Sequence, residues 1–197
     1  MRRLSGFTLI ELLITVAIVA ILTSLMAPGF SSFIKDNRLS GQINTLIGTI
    51  HLSRGEAANR RAIVTLCASD NGANCNSTHW EDGWILFSDA NNDGNAIKDG
   101  TDQLLRYQEP LVGGNTLRAT GFSGSNLGVL QFSSTGFILA SSPSPGTLTL
   151  CDDRGARFAK AIVVNVSGVS RLAVDEGSSL NGILNDHRGS TGDLSCP

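Results

Sequence analysis

Charge is scarce in this 197-residue chain: 16% of residues are Asp, Glu, Lys or Arg, and 15 basic against 17 acidic side chains leave a net -2. A basic nucleic-acid module needs a clear cationic excess, so the composition as a whole does not describe one. Recognisable catalytic spacing is lacking too. No GxSxG, HExxH, GxxxxGK[ST] or GxGxxG occurs, and His51, His79 and His187 are too scattered to mark a triad or a zinc site. No CxxC pair is present, which weakens any metal reading of the four cysteines. No repeat recurs at a fixed spacing. Neither an enzyme nor a resident cofactor is therefore expected. Hydrophobicity is what the chain has: 41% of its residues are apolar, too many for a disordered polymer, and the length fits one domain plus an appendage.

The apolar residues are unevenly spread. Between Arg3 and Lys35 the only charged side chain is Glu11. Phe7 to Ala27 gives 21 residues, which at about 1.5 Å each cover roughly 30 Å, one hydrocarbon core. Arg2 and Arg3 precede this run, so the positive-inside bias keeps the N-terminus in the cytoplasm and exports everything after Pro28. Cleavage as an ordinary secretory signal after Ala27 would put Leu25 where a small residue is wanted and Pro28 directly after the cut, so the segment is expected to stay. Glu11 is the sharpest clue. A carboxylate inside an apolar helix is costly unless it finds a partner, and nothing in this helix offers a cation. Cutting between Gly6 and Phe7 would create an α-amino group one helical turn away, and in a bundle a neighbour's amine would serve equally. The plainer alternative is a glutamate snorkelling at the membrane edge.

Gly6-Phe7-Thr8-Leu9-Ile10-Glu11, followed by the long apolar stretch, resembles the type IV prepilin leader and N-terminus. The resemblance implies cleavage after Gly6 by a prepilin peptidase, N-methylation of Phe7, and Glu11 as the carboxylate that aligns a subunit docking into a filament.

Pro28 and Gly29 are expected to interrupt the helix and kink it. A second helical pattern follows, with Phe30, Phe33, Ile34, Ile43, Leu46, Ile47, Ile50, Ala57 and Ala58 mostly at three- and four-residue steps. Past Arg61 the pattern changes to short β-branched runs between Gly, Asn, Asp, Ser and Pro, which reads as antiparallel strands. Strands are expected at 62–68, 84–88, 103–108, 116–119, 129–133, 137–140, 147–151, 160–166 and 170–174. Hairpins are expected at 134–136 and at Ser167-Gly168, and a polar surface tail over 175–197. The organisation is thus a cleaved leader at 1–6, a transmembrane and filament-core helix at 7–28, an amphipathic continuation at 29–61, and a periplasmic β-rich domain at 62–197. The fold class is α+β, type IV pilin-like: a long kinked N-terminal helix laid on one or two antiparallel sheets.

Cys67, Cys75, Cys151 and Cys196 all lie on the exported side, where oxidised pairs are favoured. Of three connectivities we choose Cys67 with Cys75, closing a small Gly/Asn-rich loop, and Cys151 with Cys196, tying the tail to a strand. Asp89, Asn91 and Asp93 with Gly94 match the first half of a calcium loop, but Gly100 stands where the bidentate Glu belongs. An Asn/Asp/Gly turn explains the same residues and is preferred, leaving calcium as a weak candidate. Arg54, Arg60 and Arg61, and Arg154, Arg157 and Lys160, are small basic groups for which a solvated, ion-paired face is the plainer reading. Trp80, Trp84 and Phe87 could stack on a ligand or a neighbour, with core packing preferred for the latter two.

Arg54 to Arg61, the stretch Asp82 to Asn91, and the late hairpin at Gly168, taken with the leader, resemble the GspH/FimT family of minor pilins and pseudopilins over nearly the whole chain. The resemblance implies a non-catalytic structural subunit at a filament tip. Its partners would be other minor pilins or pseudopilins, the major subunit, the prepilin peptidase and the inner membrane. The expected location is single-pass in the inner membrane with a periplasmic domain before assembly, and in the pilus or pseudopilus after it. Some pilus-associated members bind DNA through Gly-Arg-x-Arg on the late hairpin. Here the aligned residues are Gly168-Val169-Ser170-Arg171, so Val169 replaces the first Arg and removes one phosphate contact. Loss of Arg2 and Arg3 with the leader leaves 13 basic against 17 acidic residues, a net -4 that also opposes DNA binding. A minor type IV pilin priming pilus assembly is the leading expectation. A type II secretion pseudopilin and a DNA-uptake pilin using Gly168, Arg171, Arg154, Arg157 and Lys160 are the alternatives.

Overall fold

The computed structural model describes residues 6–91, 93–122, 128–139, 144–177 and 180–197, with backbone alone for 25–29. The expected leader thus lies outside the described residues except for Gly6. The chain divides into two units, Met1–Arg38 and Leu39–Pro197.

The first unit is dominated by the apolar part of helix α1, Leu9–Arg60. Its side chains from Leu9 to Leu22 stand open, Leu9 at 77% and Ile21 at 61% exposure. Among the described residues no helix is long and apolar enough to cross a membrane. The run's described side chains stop at Ser24. The interruption expected at Pro28 and Gly29 is not observed, because α1 continues through both. A proline inside a helix removes one hydrogen bond and costs about 3 kcal/mol, which a 52-residue helix absorbs without ending.

In the second unit α1 carries a buried stripe of Leu39, Ile43, Leu46, Ile50 and Ala57, at alternating four- and three-residue steps up to Ile50. Ser53 fills the place between Ile50 and Ala57. Its hydroxyl is satisfied by donating to the Thr49 carbonyl at 2.7 Å, as Thr49 donates to that of Thr45 at 2.9 Å. The expected stripe was drawn too long: Phe30, Phe33 and Ile34 are exposed and belong to the first unit, and Ala58 faces solvent. The helix closes with Arg61 in the left-handed region, φ 55, and the Ala62 N–H bonded to the Ala57 carbonyl at 3.3 Å.

Among the described residues eight strands follow: β1 Ile63–Ala68, β2 Trp84–Asp89, β3 Gln103–Gln108, β4 Thr116–Gly121, β5 Leu130–Phe132, β6 Gly146–Cys151, β7 Lys160–Val164 and β8 Ser170–Leu172. They form two antiparallel four-stranded sheets, β3-β2-β1-β5 and β4-β6-β7-β8. The strand expected at 137–140 shrinks to one bridge, Phe132 to Ile138, and Ala140 lies outside the described residues. Alternation sorts each strand. Val64, Leu66, Trp84, Leu86, Leu130 and Phe132 of the first sheet meet Leu117, Leu148, Leu150, Ile162 and Val164 of the second and the α1 stripe in one core.

Each outer face carries a smaller apolar cluster under a cover held by a disulfide. Ile85 and Phe87 pack with Cys67 and Cys75, whose bond closes residues 67–75. Ala161, Val163 and Ala173 pack with Cys151 and Leu194, and the Cys151–Cys196 bond ties down the tail. These are the two pairings chosen from the sequence. The tail expected as surface loop is partly core: Asn185, Asp186 and Leu194 are buried, and Asn185 pairs with Asp193. Its few apolar residues are enough to cover one sheet face when a disulfide holds them there.

Candidate functional site

The N-terminal residues Gly6, Phe7 and Glu11 are all exposed, Phe7 at 86%. Thr8 precedes the helix and Glu11 is its third residue. The Glu11 Oε2 atom accepts from the Thr8 N–H and the Thr8 hydroxyl, both at 2.9 Å, while the Glu11 N–H donates to Thr8 Oγ1 at 3.3 Å. This reciprocal pair is a capping box, and it satisfies donors that the first turn leaves orphaned. The Thr-x-x-Glu spacing signals it, and Thr8 is the residue that sequence reasoning missed. The site thus consists of a capped carboxylate near the exposed Phe7 side chain, at the head of sixteen exposed, apolar-rich helical residues from Leu9 to Ser24. Chemically it can accept a cation and bury itself among apolar neighbours.

The late basic residues do not form one patch. Gly168 turns the β7–β8 hairpin at φ 74, its N–H bonded to the Asn165 carbonyl at 2.9 Å. Arg171 sits opposite Val163 on the tail-covered face and pairs with Glu176 at 3.2 Å. Lys160, by strand parity, lies on the other face, beside Ser40 and Asn44 of α1. Arg154 is held by Asp152 at 2.7 Å and stacks over the Phe158 ring at 4.4 Å, while Arg157 is exposed. Arg54 donates to the Gly136 carbonyl at 3.2 Å, and Arg60 pairs with Glu56 at 2.5 Å. A cleft of about 630 Å³ between β4 and the tail is lined by Arg118, His187 and Arg188. Its two guanidinium groups are already matched, Arg118 by Glu81 and Arg188 by Asp186. Burial would raise the Asp186 carboxyl, but the bonded Arg188 guanidinium and N–H hold it below its ordinary range.

Trp80 and Trp84 are fully buried, 6.4 Å apart, and Phe87 packs on the opposite sheet face, so none is offered to a ligand. Asp89 closes β2, and Asn91 and Asp93 lie in the loop that follows it. No three acidic, thiol or imidazole groups among the described residues stand close enough to hold a metal.

A long N-terminal helix on two antiparallel sheets, headed by a prepilin-type terminus, defines a pilin-like protein. The chain belongs to the family described as type II transport protein GspH, which matches residues 42–168, and residues 1–27 match the prokaryotic N-terminal methylation motif. Among solved structures, the type IV minor pilin FimU of Pseudomonas aeruginosa is similar with a TM-score of 0.53 at 17% identity, over 71% of this chain and 91% of that one. The minor pseudopilin EpsH of the Vibrio cholerae type 2 secretion system is similar with a TM-score of 0.45 at 12% identity, over 68% and 95%. No curated protein matches the sequence. The family is one of structural pilins and pseudopilins that assemble with other pilins.

Proposed function

We propose that this chain is a minor type IV pilin, a non-catalytic subunit of the tip complex that primes pilus assembly. The observation that carries the reading is the first unit: Phe7 and the capped Glu11 head a helix whose apolar side chains, Leu9 to Leu22, are all exposed. A helix with apolar residues all round is stable only inside a bilayer or among neighbouring helices. Before assembly the run anchors the chain in the inner membrane, with residues 62–197 in the periplasm. After removal of the leader by a prepilin peptidase, the helix moves laterally into a bundle where a neighbour's α-amine meets Glu11. Helices in such a bundle associate through close packing and polar contacts, since lipid is as apolar as the helix surface. The likeness to FimU supports the fold that presents this helix.

A secretion pseudopilin would share each of these features and differ in its partners. Deleting the gene and scoring surface pili and protein secretion in the same strain separates the two. Loss of pili with secretion intact is expected, and the reverse outcome assigns the chain to a secretion system.

A further inference from the structure

Phe30, Phe33 and Ile34 stand 64%, 61% and 42% exposed on α1, and the docking proposed at Glu11 makes no use of them. Steps of three and four residues put them on one helix face, with Ser32 on the opposite side. They fall after Ala27, where the apolar run of the sequence ends, and before Leu39, where the second unit begins. Three large apolar side chains gathered on one open face call for a cover.

The unbroken helix supplies a ruler. Because α1 runs through Pro28 and Gly29, the residues from Leu9 to Arg60 all advance along one helix, at about 1.5 Å each. A carboxylate costs least at the edge of the hydrocarbon, which sets Glu11 at the cytoplasmic boundary. Counted from there, Ile21 lies about 15 Å in, Phe30 about 29 Å and Phe33 about 33 Å, against a hydrocarbon core of roughly 30 Å. Phe30 and Phe33 thus bracket the far boundary. Lys35 follows at about 36 Å, in the headgroup layer, and Arg38 at about 40 Å, from which a long side chain reaches back to it. The two cations outweigh Asp36 between them. Apolar rings at the acyl boundary with basic side chains beside the phosphates are how a helix face is fitted to a membrane interface.

We propose that, before assembly, this face lies in the periplasm-side interface of the inner membrane. Phe30, Phe33 and Ile34 sit at the acyl boundary, and Lys35 and Arg38 meet anionic lipid phosphates. The inference rests on the membrane reading of the first unit and moves its far edge from Ala27 to Ile34. Continuity with the apolar run and the positive charge that follows it favour lipid as the occupant over a neighbouring subunit. Leaving the membrane for a filament then means releasing this face as well as the run behind it.

The test is depth-dependent fluorescence quenching of the full chain in vesicles of phosphatidylethanolamine and phosphatidylglycerol, with lipids brominated either near the headgroup or near the chain end. Trp80 and Trp84 are fully buried, so the wild-type signal serves as the blank. Ile21→Trp reports the mid-plane and is expected to be quenched more by the deep bromine. Phe33→Trp is expected to show the reverse order, with shallow quenching at least about twofold stronger than deep. Should Phe33→Trp fail to fold, Phe30→Trp is read in the same way. Quenching of Ile21→Trp with none of Phe33→Trp overturns this inference alone and leaves the face to neighbouring subunits. The same order in both variants also overturns it, since position 33 would then lie deep in the hydrocarbon. An unquenched Ile21→Trp overturns the membrane reading and this inference with it.

Discussion

In the free chain the Glu11 carboxylate is satisfied by the N–H and the hydroxyl of Thr8, so its charge is stabilised locally before any neighbour arrives. Transfer into an apolar bundle strips water from that carboxylate but leaves the two Thr8 donors, and the remaining deficit is one of charge. This separates two roles that substitution can distinguish. Glu11→Gln keeps an oxygen for the cap and loses the charge, whereas Glu11→Ala loses both. Both variants are expected to be absent from sheared filaments while the β-rich domain melts normally. Wild-type amounts of the Gln variant in that fraction would reduce Glu11 to a helix cap. The cap itself is written in Thr8-x-x-Glu11, but an acid inside an apolar run is read first as a charge.

At the scale of elements, the β7–β8 hairpin shows how a sequence motif can owe its glycine to packing. A Cβ on Gly168 would meet the Gly136 carbonyl oxygen at 2.2 Å, and its φ of 74 is one that other residues adopt at a cost. Gly168→Ala should therefore destabilise the domain by about 1–3 kcal/mol, seen as a lower urea midpoint at constant slope. An unchanged midpoint would mean that the hairpin gives way freely. Eight of the nine expected strands correspond to observed ones within two residues at each end, because alternation and turn residues are local signals. The one expected at 137–140 departs more, pairing with β5 at a single bridge. The one expected at 170–174 gives up Ala173 and Val174, whose backbone bonds Ala161 and Asn185 outside the ladder. The shift of register between Leu86 and Phe87 has no local signature, since it arises from fitting β2 to β3.

For the molecule as a whole, the two disulfides have matching duties, each fixing a cover over the outer face of one sheet. By the chain-entropy relation, the 45-residue separation of Cys151 and Cys196 corresponds to about 4 kcal/mol, and the 8-residue separation of Cys67 and Cys75 to about 2.5 kcal/mol. Cys151→Ser with Cys196→Ser is expected to lower unfolding free energy by about 3–4 kcal/mol. Hydrogen exchange should accelerate in residues 184–194 well before it does in β6 and β7. Equal acceleration throughout would show that the tail is integral to the central core and not a cover over it. The basic groups illustrate the same scale: the DNA-uptake alternative draws on Arg171, Arg154, Arg157 and Lys160 together, yet the sheet sends Lys160 and Arg171 to opposite faces.

Residue order alone settles what depends on near neighbours: the helix and strand periods, the apolar run with its single acid, the spacing of the four cysteines and the turn glycines. Folding settles whatever depends on residues distant in the chain. It places Leu39 and Ser53 in the core stripe and drops Phe33 from it, and it makes a polar tail into the lid of a second cluster. It also divides the basic residues between faces and leaves one oxygen of Asp89 buried without a donor among the described residues. The reason is physical: periodicity is set by bond geometry within a few residues, whereas burial and partnership are set by which surfaces the whole chain brings into contact.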